Sequence, residues 1–231
     1  MKRIVSLSIA LGLLALAGTS NAQIAKWTFE NLTISPANTN ATSMFGVAAE
    51  VGTGTASSVH ATSATFSTPV GNGSAKSASA NGFSIGDYWQ FQTSTLGSSG
   101  IQLTWDQTSS NTGPGKNTLQ YSTDGTTFTQ FGSEYTILAN ATPNPTWSSG
   151  TPQPIFTFTV DLSSVPALNN AAAVYFRLVD SQTTSANGGI VAATGTDRVD
   201  NFTVAVVPEP TGLFLLGGLG ILGLCFKNRR K

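Results

Sequence analysis

Apolar side chains recur at every second position through much of the chain, in short runs separated by Gly, Pro, Ser and Asn. Ile101, Leu103 and Trp105 alternate with Gln102 and Thr104, and Phe156, Phe158 and Val160 alternate with Thr157 and Thr159. A period of two puts successive side chains on opposite faces, so each run reads as a strand with one buried and one wetted face. The pattern predicts strands over residues 26–32, 88–95, 101–107, 118–123, 127–131, 134–138, 155–161, 174–180 and 198–206. Asp124-Gly125 separates two of them, and a two-residue Asp-Gly loop favours a type I′ hairpin because both central residues take positive φ. That turn would set Tyr121 opposite Phe128 as an aromatic cross-strand pair. Residues 35–81 are dominated by Ala, Ser, Thr and Gly, with Met44, Phe45, Val47, Val51, Val59, Phe66 and Val70 as apolar anchors. They predict either two or three outer strands or long loops. No long segment of helical period interrupts the body of the chain. The expected fold is all-β, a single antiparallel, jelly-roll-like β-sandwich over residues 23–206.

Both ends break this pattern. Lys2-Arg3 precedes an uncharged, mostly apolar stretch over residues 4–17, then Gly18-Thr19-Ser20-Asn21-Ala22. A positive start, an apolar stretch of this length and small residues at the last and third-last positions make an export signal over residues 1–22. Cleavage is expected between Ala22 and Gln23. At the other end Val207-Pro208-Glu209-Pro210 leads into an uncharged stretch over residues 211–226 and then Lys227-Asn228-Arg229-Arg230-Lys231. Sixteen residues make about 24 Å of helix, somewhat less than a bilayer core of roughly 30 Å. Basic residues that reach to the interface close such a gap. They also mark the cytoplasmic side, which leaves Val207 and all before it outside that membrane. Each proline forces the residue before it toward extended backbone. Val207, Pro208, Glu209 and Pro210 therefore read as an extended, exposed segment that a protease can grip.

Composition narrows the function. The 231 residues carry 11 basic and 11 acidic side chains, one His and one Cys. Six of the basic groups lie in the two ends, and residues 23–207 hold five basic against ten acidic groups, a net charge of −5. A nucleic-acid binder would show the opposite sign. A lone Cys, Cys225 within the apolar tail, excludes a disulfide framework and a Cys-based zinc site.

Catalytic chemistry finds little support. His60 has no second ligand near it in sequence, and no Gly-x-Ser-x-Gly elbow accompanies it. A glycosidase needs two converging carboxylates, whereas Asp87, Asp106 and Asp124 stand in turn-like sequence, where Asp caps backbone N–H groups. Sugar binding would use aromatic faces, and Trp27, Trp89, Trp105, Trp147, Tyr88 and Tyr135 are the candidates. Trp105 shares the apolar parity of Ile101 and Leu103 and belongs to the core. One of Tyr88 and Trp89 must face outward. Trp147, in a proline-rich loop, is expected to be exposed.

The last 25 residues resemble the PEP-CTERM sorting tail, also known as the ice-binding protein C-terminal domain. The resemblance rests on Pro208-Glu209-Pro210, the short Leu/Gly-rich span and the closing basic cluster. It implies recognition at Pro208, Glu209 and Pro210 by an exosortase, a multi-spanning membrane protease with a Cys nucleophile. The hosts implied are Gram-negative-type bacteria that make extracellular polysaccharide. Residues 121–128 and 195–204 resemble segments of secreted jelly rolls with galactose-binding-like or carbohydrate-binding-module folds. That likeness implies a structural Ca²⁺ held by Glu30 and Asp200, against the alternative that Asp197 or Asp200 pairs with Arg198 or Arg177. No other cofactor is expected. The partners expected are the export translocon, the exosortase-like protease, the membrane through the C-terminal helix, and extracellular polysaccharide. The expected role is that of an exported, non-catalytic surface or matrix protein, structural or adhesive. A dedicated carbohydrate-binding module is the alternative, and a surface hydrolase the remoter one.

Overall fold

The computed structural model describes residues 22–34 and 40–207. The expected signal helix and transmembrane helix lie outside them. Twelve strands follow in order: β1 (Gln23–Trp27), β2 (Asn40–Ala48), β3 (Val51–Gly52), β4 (Gly54–Ser67), β5 (Ala78–Asn81), β6 (Tyr88–Thr93), β7 (Ile101–Ser109), β8 (Lys116–Ser122), β9 (Thr129–Thr136), β10 (Thr157–Asp161), β11 (Val174–Asp180) and β12 (Thr196–Val206). Every pairing between them is antiparallel. One sheet runs β10-β7-β12, with β5 and β1 both alongside β12, at its Thr196 and Val206 ends respectively. The other runs β2-β4-β6-β11-β8-β9. Strand β4 belongs to both, since its first half pairs with β6 and Phe66-Ser67 pairs with β5. The expected all-β antiparallel sandwich is the fold.

The described part of the region 35–81, residues 40–81, contains more order than its composition suggests. It supplies four strands, among them the fourteen-residue β4. Of its inward side chains Ala56, Ser58 and Ala64 are small and only His60 and Phe66 are bulky, so most of the strand lacks the large apolar alternation that announces a strand in sequence. The predicted strands 127–131 and 134–138 are one strand, β9, because Gly132 (φ 70°) is absorbed within the strand instead of ending it. The β8–β9 hairpin exists, but not as a two-residue turn. Only Gly125 has positive φ (73°), the loop spans residues 123–128, and Tyr121 pairs with Thr129. The Asp124 carboxylate accepts the N–H groups of Thr126 and Thr127, both at 2.7 Å. These bonds hold a wider loop in place of a type I′ turn.

Between the sheets lie Trp27, Trp89, Trp105, Phe91, Phe176 and Phe202, all buried. Phe91 of one sheet stacks on Phe202 of the other with centroids 3.6 Å apart, and Trp27 meets Phe91 edge-on at 5.3 Å. Each such side chain contributes about 1.5–3 kcal/mol by leaving water. A polar network also crosses the core. Asp197 on β12 accepts from the Trp89 indole (2.7 Å), from the Gln107 amide (3.1 Å) and from the Ser109 hydroxyl (3.2 Å). Gln107 in turn accepts from Trp105 and from the Tyr135 hydroxyl.

The two ends of the described domain leave together. Gln23 pairs with Ala205, the Val206 N–H donates to the Ala22 carbonyl (3.0 Å), and the Val207 N–H donates to the Gly100 carbonyl (2.7 Å). Among the described residues no helix is long and apolar enough to cross a membrane.

Candidate functional site

The outer face of the second sheet is built from alternate residues of five adjacent strands, β4, β6, β11, β8 and β9. On β6 the burial alternates so that Trp89, Phe91 and Thr93 point inward and Tyr88, Gln90 and Gln92 outward. On β11 the outward set is Tyr175 and Arg177, with Phe176 and Leu178 in the core. Register brings these into rows: Ser57, Gln90, Arg177, Gln120 and Gln130 lie side by side, and Thr55, Gln92, Tyr175 and Ser122 form the next row.

Arg177 is the centre of this face. Its guanidinium lies 3.9 Å from the Tyr88 ring centroid and 3.5 Å from that of Phe128, so it is sandwiched between two aromatic rings. It donates to Gln90 Oε1 (2.8 Å) and to the Tyr88 hydroxyl (3.1 Å). Partial burial lowers its pKa from the usual arginine value while the Tyr88 contact opposes that, and a guanidinium stays charged in either case. Phe128 arrives from the β8–β9 loop. That loop lies so close to Tyr175 that a Cβ on Gly125 would meet its ring at 2.9 Å. At the edge of the face a hollow of about 260 Å³ is lined by Gly54, Thr55, Gln92, Thr93 and Ser94, among others. The surface thus offers a fixed planar cation, several amides and hydroxyls, and little apolar relief. It is suited to hydrogen-bonding a neutral, hydroxyl-rich chain.

Comparison with known proteins adds one decisive finding at the C-terminus. Residues 206–231 match the PEP-CTERM protein-sorting motif. The tail is a PEP-CTERM sorting motif. Val206 and Val207 are its described residues, while Pro208, Glu209 and Pro210 lie outside them. The sorting motif therefore starts within the last residue of β12, with no linker between sandwich and motif. Among curated proteins none matches the chain. Among solved structures, the CBM22-1 xylan-binding domain of Paenibacillus barcinonensis Xyn10C is similar at 9% identity and a TM-score of 0.41, covering 84% of this chain and 100% of its own. The K1 cleaved adhesin domain of Lys-gingipain from Porphyromonas gingivalis W83 is similar at 19% identity and a TM-score of 0.41, covering 79% and 97%.

The other residues singled out in the sequence fall as follows. All four tryptophans are buried, Trp147 included at 2% exposure, which corrects its expected exposed position. Its loop folds back on the domain: Trp147 meets Phe156 edge-on, and its backbone N–H donates to Asn140 Oδ1. Of the adjacent pair, Trp89 points in and Tyr88 out. His60, isolated in sequence, is not isolated in space. Its Nε2 lies 3.0 Å from Ser58 Oγ and its Nδ1 3.5 Å from Asp87 Oδ2. All three side chains are buried, and Ser58 gives its proton to the Tyr88 carbonyl (3.0 Å). A nucleophile must meet its substrate, so this constellation pins β4 to β6 and the loop before it.

Glu30 and Asp200 do converge, but on one loop. Glu30 Oε1 accepts the Lys76 N–H (2.9 Å), while Asp200 Oδ2 accepts the Asn72 N–H (2.9 Å) and the Ser74 hydroxyl (2.7 Å). A calcium ion takes oxygen ligands, whereas these carboxylates face hydrogen-bond donors. Among the described residues no group of three or more His, Cys, Asp or Glu side chains stands ready for a metal. The alternative pairing with Arg177 or Arg198 is replaced by this loop for Asp200 and by the core network for Asp197. Asp106 sits within β7, not in a turn, and bonds the side chains of Thr157 (2.5 Å) and Asn201 (2.9 Å).

Sequence reasoning missed Arg177, Phe128 and the glutamines as a group. The signal was present in part: Arg177 has the parity of Tyr175, and Gln90 and Gln92 the parity of Tyr88. Their juxtaposition needed the strand order.

Proposed function

We propose that this is an exported, non-catalytic protein of the cell surface or extracellular matrix, processed by an exosortase-type enzyme, whose sandwich binds a neutral polysaccharide through the Arg177 face. The sorting motif over residues 206–231 supports export and membrane-anchored sorting. The glycan reading rests on a single observation, the guanidinium of Arg177 held between the Tyr88 and Phe128 rings among outward glutamines. Held between the rings, that cation costs little further entropy when it binds a hydroxyl, and hydrogen bonds to charged donors are the stronger kind. Because Tyr88 and Phe128 stack on Arg177, the face works by hydrogen bonding more than by an aromatic platform. Residues 1–22 act as the signal peptide, cut between Ala22 and Gln23, and Pro208, Glu209 and Pro210 as the exosortase recognition site.

Glycan-array and affinity-gel measurements on the protein recovered from cells test the binding. Retention by a neutral polysaccharide is expected, falling about tenfold or more in R177A. R177K is expected to lose most of it as well, since an ammonium has neither the plane nor the fork of donors. Unchanged retention in both variants would remove the Arg177 face from the account.

A further inference from the structure

The eleven residues of β12 span about 36 Å, and the sorting motif leaves at the Val206 end. At the Thr196 end, where Asn81 pairs with Thr196, the chain forms a different kind of surface. A hollow of about 420 Å³ is lined there by Phe83, Ile85, Asp180, Gln182, Ile190 and Val191, with two further polar residues. Ile85 is 60% exposed and Ile190 is 80% exposed, so the rim presents two large aliphatic side chains to water.

Asp180 closes β11 with the inward parity of Phe176 and Leu178, and only 1% of it is exposed. Its Oδ2 is buried without a hydrogen-bond partner, while the Gln182 N–H lies at a long 3.4 Å from its Oδ1 and the Ser181 N–H also acts on the carboxylate. The cross-strand neighbour Asn117 likewise buries its Oδ1 without a donor. Burial pushes the Asp180 carboxyl up to about 6 against the Gln182 and Ser181 N–H groups, and Asp87 adds repulsion. Asp197 interacts with it electrostatically as well. Among the described residues the one ion pair in this region is His60 with Asp87, and no Lys or Arg pairs with Asp180. A buried acceptor left unpaired is destabilising, and a complementary donor would recover that loss.

We propose that this hollow binds an organic cation, an ammonium or guanidinium group on an aliphatic stem. Asp180 takes the charge, and Phe83, Ile85 and Ile190 cover the stem. A hydrated metal ion would gain nothing from the aliphatic rim, and a neutral alcohol would leave the carboxylate without its counter-charge. The same chemistry is carried by a free alkylamine and by a basic side chain of a neighbouring protein in the matrix. The site lies at the end of the sandwich away from the sorting motif, and it shares no residue with the Arg177 face.

Methyl NMR of the full-length protein in detergent reads the site through Ile85, Ile190 and Val191. The probes are n-butylammonium, n-butylguanidinium, the tripeptide Gly-Lys-Gly, 1-butanol and calcium chloride. The two alkyl cations are expected to shift these methyls saturably. D180N is expected to weaken them about tenfold or more, I190S about threefold, and R177A not at all. Tighter binding of the tripeptide than of n-butylammonium assigns the site to a protein partner, and the reverse order to a free amine. Equal shifts with 1-butanol, binding that survives in D180N with its near-ultraviolet dichroism intact, or saturation by calcium alone would each overturn the proposal. I190S alters an exposed side chain, so it keeps the test decisive if D180N fails to fold.

Discussion

Three buried carboxyls set how this protein responds to pH. Burial pushes Asp197 up to about 7 against the pull of Trp89, Gln107 and Ser109, and pushes Asp200 up to about 7 against Ser74 and the Asn72 N–H. Asp180 rises to about 6. A carboxyl whose pKa is raised on folding binds its proton more tightly in the native state. Its contribution to stability is complete below the unfolded value near 4 and is lost as pH rises through 6 to 7. Thermal unfolding should therefore show a higher midpoint at pH 5 than at pH 8, with a difference of a few kcal/mol in total. D197N should flatten that slope. At pH 5 it should cost about 1–2 kcal/mol, because its new N–H₂ faces the donors of Gln107. A midpoint independent of pH, or a steeper slope in D197N, would contradict the burial argument. The alternative read from sequence, an ion pair of Asp197 or Asp200 with Arg198 or Arg177, gives way to neutral donors on both carboxyls, and Arg198, on the opposite face of β12 from Asp197, acts on it only electrostatically.

At the scale of single elements, the β8–β9 loop couples the sandwich to its candidate site. Gly125 has φ of 73° and lies against the Tyr175 ring. Ala there would meet both a strained backbone and the ring, so G125A should lose about 1–3 kcal/mol in chemical unfolding. It should also weaken polysaccharide retention by displacing Phe128 from Arg177. The Phe91–Phe202 stack lies at the centre of the core, and F91A should cost about 3–5 kcal/mol by the same measurement. Strands with bulky alternating side chains, such as β7 and β11, were legible residue by residue. Strand β4 was not, because Ala, Ser, Thr and His fill most of its positions and its two bulky apolar residues, Val59 and Phe66, fall on opposite faces. The hairpin was legible as a reversal of the chain but not in its register, which Asp124 fixes by bonding two N–H groups beyond the turn. His60 and Asp87 sit 27 positions apart, and only the pairing of Val59 with Tyr88 brings them together.

For the molecule as a whole, the adjacency of Gln23 and Ala205 places both ends of the described domain at one end of the sandwich. With the sorting motif flush against β12, an exosortase acting there would work against the Gly100 loop, where the Val207 N–H is tied. Intact-mass measurement on protein from the native cell surface should find a chain beginning at Gln23 and ending near Pro210. A full-length C-terminus would mean that the tail is kept as an anchor. Inserting six Gly/Ser residues after Val207 should speed processing, seen as a shorter-lived precursor in pulse-chase, because the recognition segment would then stand clear of the fold.

The sequence by itself determined the fold class, the basic and apolar ends, and the sorting motif, because each is written in residues adjacent along the chain. Period-two alternation and a contiguous PEP segment need no partner to be read. The tertiary structure alone decided which side chains meet. It buried Trp147, turned Glu30 and Asp200 onto a loop, set Arg177 between two rings and left Asp180 Oδ2 without a donor. Those outcomes depend on strand order and register, and a shift of one residue would turn every side chain of a strand to its opposite face.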